Sequence, residues 1–234
     1  MKNIMAGLAL GLFLVPVGMT GAAVAADASL ETQKDKISYS MGIDLGNYLN
    51  GLGDKIDLTV LKQGIDDGFS GAEPKLSTEE IEAAQQAFAA EMKVEQEAML
   101  AEMQQKNAAA GQAFLEENKK KEGVTVTESG LQYEVLKEGD GEKPEATDKV
   151  KVDYVGTLIN GEEFDSSIKR GEAAVFTVNQ VIPGWSEALQ LMNVGSKYRV
   201  VIPSELAYGE QGASPVIEPN SVLVFEIELL GIEE

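Results

Sequence analysis

The sequence predicts an α+β protein, helical in its first half and β-rich in its second. Near Val124 the apolar period changes from helical three-and-four spacing to strand-like alternation. A proline-free stretch runs from Ser77 to Lys121, long enough for one extended helix. Beyond it, turn signals recur at Gly139-Asp140-Gly141, Asn160-Gly161, Gly209 and Pro219-Asn220. Together these predict an antiparallel sheet wrapped on one short helix, preceded by a small helical domain and a long helical arm.

The chain opens with Lys2, an apolar run from Ile4 to Val17, and small residues ending in an A-x-A at Ala23 and Ala25. That order reads as a cleavable secretory signal over 1–26, with no cysteine at the boundary for lipid attachment. The expectation is an exported protein, periplasmic, with outer-membrane association or surface exposure as the alternatives. Over 27–76, Ile37, Met41, Leu45, Tyr48, Leu49 and Leu52 make one amphipathic helix. Asp57 is placed to cap a second, with Leu58, Leu61, Ile65 and Phe69 on its inner face. Two helices of this size cannot enclose a core. They need a partner: a second copy, making this a dimerisation domain, or the C-terminal part of the same chain.

The region 77–122 reads as a linker helix. Ser77 and Glu80 have capping-box spacing, acids crowd the first turns, and Lys119-Lys120-Lys121 precede a helix stop at Gly123. At 1.5 Å per residue it would be roughly 65 Å long. Its apolar stripe (Ile81, Phe88, Met92, Met99, Met103, Ala110, Phe114) is narrow, which suits an exposed arm spacing two domains apart; a coiled-coil rod is the alternative. From 123 to 234, strands are expected at Leu131–Lys137, Lys149–Ile159, Ala173–Val178, Lys197–Pro203 and Val222–Leu230, with a hairpin at Asn160-Gly161. Trp185–Leu191 is the one short helix expected.

Composition narrows the chemistry. Histidine and cysteine are absent, which excludes disulfides, thiolate nucleophiles, histidine triads and zinc sites built on these ligands. No metal or cofactor is expected. A net charge of −20 repels nucleic acid, and the only basic cluster is Lys119–Lys121. A paired-carboxylate hydrolase is the rival enzyme class, but no two acids stand in apolar surroundings as Asp165 does.

Five segments then occur in order: Val152-Asp153-Tyr154-Val155-Gly156, Gly161 to Ser167 around Phe164-Asp165, Val181-Ile182-Pro183-Gly184-Trp185, Leu206-Ala207-Tyr208-Gly209, and Leu223-Val224-Phe225. Over 124–232 the chain resembles the FK506-binding-protein (FKBP) family of peptidyl-prolyl cis–trans isomerases, and as a whole its macrophage infectivity potentiator (Mip) branch. The resemblance implies catalytic roles for Tyr154, Asp165 and Tyr208, and a substrate pocket of Phe164, Phe176, Val181, Ile182, Trp185, Ile217 and Phe225. It places Trp185 beneath the proline ring, with the Ile182 N–H and the Tyr208 hydroxyl on substrate carbonyls. It further implies proline-containing polypeptide clients and binding of macrolides of the FK506 type. Rotation of a prolyl amide needs neither nucleophile nor proton transfer, so a chain without histidine or cysteine loses nothing at this task. A dimeric holdase chaperone, gripping clients with its helical arms, is the competing class, and a surface adhesin a weaker one.

Overall fold

The computed structural model describes residues 30–213 and 215–233. The leader read over 1–26 lies outside them. Among the described residues no helix is long and apolar enough to cross a membrane. The chain divides into two compact units between Ser77 and Thr78.

The first unit holds α1 (Gln33–Asn50) and α2 (Leu58–Ser70). Thr32 caps α1 in a reciprocal capping box with Asp35. The Asp57 carboxylate caps α2 by accepting from Thr59 N–H at 2.7 Å and Val60 N–H at 3.2 Å. Neither helix buries a residue. The apolar faces seen in the sequence remain open: Met41, Tyr48 and Leu58 are exposed, and Phe69 is 95% exposed.

The second unit begins with α3 (Thr78–Asn118). It continues through seven strands: β1 (Val124–Val126), β2 (Gln132–Lys137), β3 (Lys149–Leu158), β4 (Glu163–Ser166), β5 (Ala174–Thr177), β6 (Lys197–Ile202) and β7 (Leu223–Glu233). They form one antiparallel sheet in the order β1-β2-β6-β7-β3-β4, with β5 also pairing to β3. Thus one edge of β3 carries β5 along Lys149–Val152 and β4 along Val155–Thr157. The β3–β4 hairpin turns at Asn160-Gly161, where Gly161 takes φ +87°, a left-handed conformation glycine adopts without strain.

Alternation along the strands sorts side chains between the two faces. Val150, Val152 and Tyr154 of β3 and Leu223, Phe225, Ile227 and Leu229 of β7 point to the main core, against Trp185, Ala188 and Leu189 of α5 (Pro183–Leu191). Val201, Val222 and Val224 point the other way, where Phe114 and Leu115 of α3 cover them.

Three features depart from the sequence reading. First, α5 is not the only short helix. α4 (Ser167–Arg170) follows β4 directly, capped by the Ser166 hydroxyl on Lys169 N–H and ended by left-handed Gly171. Four residues are too few to show a period. Second, β1 and β4 are additional strands, also too short to alternate visibly. Third, α3 ends at Asn118, not near Gly123, and its last turns are packed onto the sheet. Asn118 is buried, donating to Gln132 Oε1 and accepting from Arg199, each at 2.9 Å. Its buried amide is thus paired through both its nitrogen and its oxygen.

Candidate active site

A cleft of about 490 Å³ opens on the α5 side of the sheet. Each wall comes from a different element. β3 supplies Tyr154, β4 supplies Phe164 and Asp165, β5 supplies Phe176, and β7 supplies Phe225. Val181 and Ile182 lead into α5, Trp185 sits in its first turn, and Tyr208 lies between β6 and β7. Of the residues implied from sequence, Ile217 alone is not in the lining. It is buried in the core and paired through its backbone to Ala213. Gln180 lines the cleft without having been anticipated.

Trp185 is the centre of the arrangement. Its ring meets Tyr154 at 5.1 Å and Phe225 at 5.2 Å, both edge to face, and Phe176 at 5.6 Å and 78°. Phe164 stands perpendicular to Phe225 at 5.5 Å. Edge-to-face packing aims positive ring edges at negative faces and locks each ring against the next. The indole is 4% exposed yet lines the cleft, so it is a floor reachable from solvent. Gly156 makes room for these rings. A Cβ there would lie 2.7 Å from Phe225 and 2.8 Å from Phe164.

At the polar rim, the Tyr154 hydroxyl donates to Asp165 Oδ2 at 2.5 Å. Arg170 of α4 completes the group, one guanidinium nitrogen bonding Asp165 Oδ1 and another donating to the Tyr154 hydroxyl at 2.8 Å. The guanidinium also lies over the Tyr154 ring, 5.5 Å from its centre. Arg170, like Gln180, is a residue that sequence reasoning missed. Its only signal was Ser166 and Gly171 bracketing a helical turn. The buried Ser167 hydroxyl fixes the turn against β3, accepting from Tyr154 N–H and donating to Asp153 Oδ1, both at 2.9 Å.

Burial pushes the Asp165 carboxyl up, but hydrogen bonds from Tyr154 and Arg170, with the guanidinium charge, outweigh it and hold the group below the usual aspartate range. Burial raises the Tyr154 phenol, and the Asp165 carboxylate adds to the rise. Asp165 is therefore anionic and Tyr154 neutral across physiological pH. Ile182 offers a further donor: among the described residues its N–H has no acceptor, while its carbonyl takes Trp185 and Ser186 N–H groups of α5. No group of histidine, cysteine or acidic side chains among the described residues is arranged to hold a metal.

A sheet packed on one helix, with an indole-floored aromatic cleft between them, is the architecture that the sequence resemblance led us to expect of a prolyl-isomerase domain. Comparison with known proteins agrees. The sequence profile of the FKBP-type peptidyl-prolyl cis-trans isomerase matches residues 140–230, and that of the domain amino terminal to FKBP-type peptidyl-prolyl isomerase matches 34–135. The outer membrane protein MIP of Legionella longbeachae is 43% identical over 222 residues, covering 94% of this chain and 95% of its own. The FKBP-type isomerase FkpA of Aeromonas hydrophila is 46% identical over 219 residues, covering 91% of this chain and 81% of its own. Among solved structures, FkpA from Escherichia coli matches with a TM-score of 0.70 at 41% identity, covering 88% of this chain and 99% of that one. The chain belongs to the FKBP-type peptidyl-prolyl cis–trans isomerase family and is an enzyme of that class, alongside its Mip and FkpA members.

Proposed function

We propose that the aromatic cleft accelerates X–Pro rotation in exported polypeptides by taking the prolyl amide out of water, with Tyr154, Asp165 and Tyr208 as its polar contacts. The observation that carries this is Trp185 held edge-on by Tyr154, Phe176 and Phe225 at the base of an open cleft. An X–Pro bond isomerises in tens to hundreds of seconds unaided, over a barrier of ~20 kcal/mol. The planar amide is strongly polarised, and twisting it removes the conjugation. Apolar walls solvate the planar dipole worse than water does, so the barrier falls by the difference. Phe164, Phe176, Val181, Trp185 and Phe225 would enclose the ring. The Ile182 N–H and Tyr208 hydroxyl would hold flanking carbonyls, and macrolides of the FK506 type would fill the same space.

No step needs a proton transfer, and pH tests that. The Asp165–Tyr154–Arg170 group keeps its charges while Asp165 remains ionised. Because the folded Asp165 is depressed, the stability it contributes is present above the unfolded value and lost as pH falls through the folded one. The raised Tyr154 phenol stays protonated well into alkali. With no histidine in the chain, kcat/KM on a proline tetrapeptide should be flat from about pH 5.5 to about pH 9 and decline only in acid. A bell-shaped profile centred near neutrality would contradict the mechanism.

We further propose the assignment of 27–76 to dimerisation, 77–122 to a linker helix and 123–234 to the isomerase domain, in a periplasmic or outer-membrane-associated homodimer. The open apolar faces of α1 and α2, the leader pattern and the relative named outer membrane protein MIP support this. The same faces favour holdase activity as the second reading. Light scattering on the mature chain should give a dimer, and on a 123–234 truncation a monomer. Suppression of aggregation by a 27–122 fragment would favour the holdase.

A further inference from the structure

Tyr208 lies within the connection from β6 to β7 and is 42% exposed, so burial alone does not hold it. The described part of this loop closes on itself. Asn220 N–H donates to Gly209 O at 2.8 Å, Gly212 N–H donates to Tyr208 O at 3.2 Å, and Ala213 and Ile217 exchange two backbone bonds of 2.8 and 3.0 Å. Its other attachment is to α3, more than a hundred residues away in sequence. Gln104 Nε2 donates to Glu210 O at 2.9 Å, and Asn220 Nδ2 donates to Gln104 O at 3.3 Å. Asn107 Nδ2 donates at 2.9 Å to both Pro219 O and Glu218 Oε2. One turn on, Gly111 approaches so closely that a Cβ would lie 2.7 Å from Val222 Cγ2.

These contacts are polar and specific where an exposed spacer would carry only solvated side chains. An amide nitrogen has two protons, and Asn107 spends both on the loop. Gln104 engages the loop twice, by side chain and by main chain. The loop is thus braced from behind at Glu210, Glu218, Pro219 and Asn220, two to twelve residues beyond the tyrosine. We infer that Asn107 and Gln104 are positioning residues for the isomerase, through which α3 sets the height of the Tyr208 loop over the cleft. The inference rests on the assignment of Tyr208 to the cleft's polar contacts.

The test is a set of full-length mature variants assayed for kcat and KM on a proline tetrapeptide. Asn107→Asp removes the donor and sets a carboxylate against the Glu218 carboxylate and the Pro219 carbonyl. It should lower kcat/KM roughly tenfold, with the thermal midpoint little changed. Adding Glu218→Lys should restore most of the rate. Gly111→Ala, which presses on Val222 at the far end of the same loop without altering charge, should lower the rate in the same direction. In a Tyr208→Phe background Asn107→Asp should cost little more, since both act through one hydroxyl. If Tyr208→Phe is slow while Asn107→Asp keeps the parental rate, or if the two losses simply add, the inference is wrong and the site assignment stands. If Tyr208→Phe keeps the parental rate, the site assignment itself falls, and this inference with it.

Discussion

Trp185→Ala is expected to be the most damaging single change in the catalytic domain. It removes a side chain that is 4% exposed and touches three other rings, leaving a cavity where the cleft's floor stood. Large-to-small changes of this kind cost about 3–5 kcal/mol of folding stability, a large share of the 5–15 kcal/mol typical of a domain. Catalysis should fall further than stability explains. Two aromatic contacts contribute about 1–3 kcal/mol, so loss of that much from the twisted amide should lower kcat/KM roughly five- to a hundredfold. Trp185→Phe separates the effects, keeping an apolar floor and most of the stability while losing the indole's reach. Thermal melting by circular dichroism and a tetrapeptide assay on both variants check this. A Trp185→Phe protein that is fully folded and fully active would show that the indole has no special part.

The second large effect is at Asp165, and it should be catalytic rather than structural. The side chain is 42% exposed, so its removal costs the fold little. What it orders is the rim, where its two oxygens engage the Tyr154 hydroxyl and the Arg170 guanidinium. Asp165→Leu removes the acceptor of the Tyr154 hydroxyl and of one Arg170 nitrogen, leaving the Arg170–Tyr154 bond as what remains of the group. A charge-assisted hydrogen bond is worth about 1.5–3 kcal/mol, so kcat/KM should fall by roughly ten- to a hundredfold. Asp165→Asn, which keeps an acceptor but no charge, should lie between. Tyr154→Phe combined with Asp165→Leu should cost less than the two single losses summed, because the bond they share is lost once. Strict additivity would mean that the rim acts as independent groups.

The long strands were legible because β3 and β7 alternate over ten and eleven residues, so that one face of each is unmistakably apolar. The cleft was legible for a different reason. Apart from Phe176 and Gln180, its residues lie in five short segments whose order the family shares, and neither burial nor periodicity would have set Tyr154 or Phe225 apart from core. Arg170 was hidden because an arginine after Ser-Ile-Lys reads as a solvated surface residue; only the turn of α4 swings it back over Tyr154. Ile217, implied by the resemblance from outside those segments, is buried in the core and absent from the cleft lining. The docking of α3 was legible only in part: Phe114 stood in the apolar stripe and packs on the sheet, whereas the contacts of Gln104, Asn107, Gly111 and Asn118 leave no trace in hydrophobic spacing. Polar side chains reveal such contacts only once their partners are in place. Met99 and Ala110, counted in the apolar stripe, are exposed.

In the proposed mechanism a dry aromatic cleft eases the twist of a prolyl amide without moving a proton. The most direct test is the solvent deuterium isotope effect on kcat/KM for a proline tetrapeptide, measured on the plateau of the pH profile. If rotation is driven by the apolar walls and fixed hydrogen bonds, the rates in H₂O and D₂O should agree, with a ratio of about 1. A ratio of roughly 2 or more would place a proton in flight in the rate-limiting step and contradict the account.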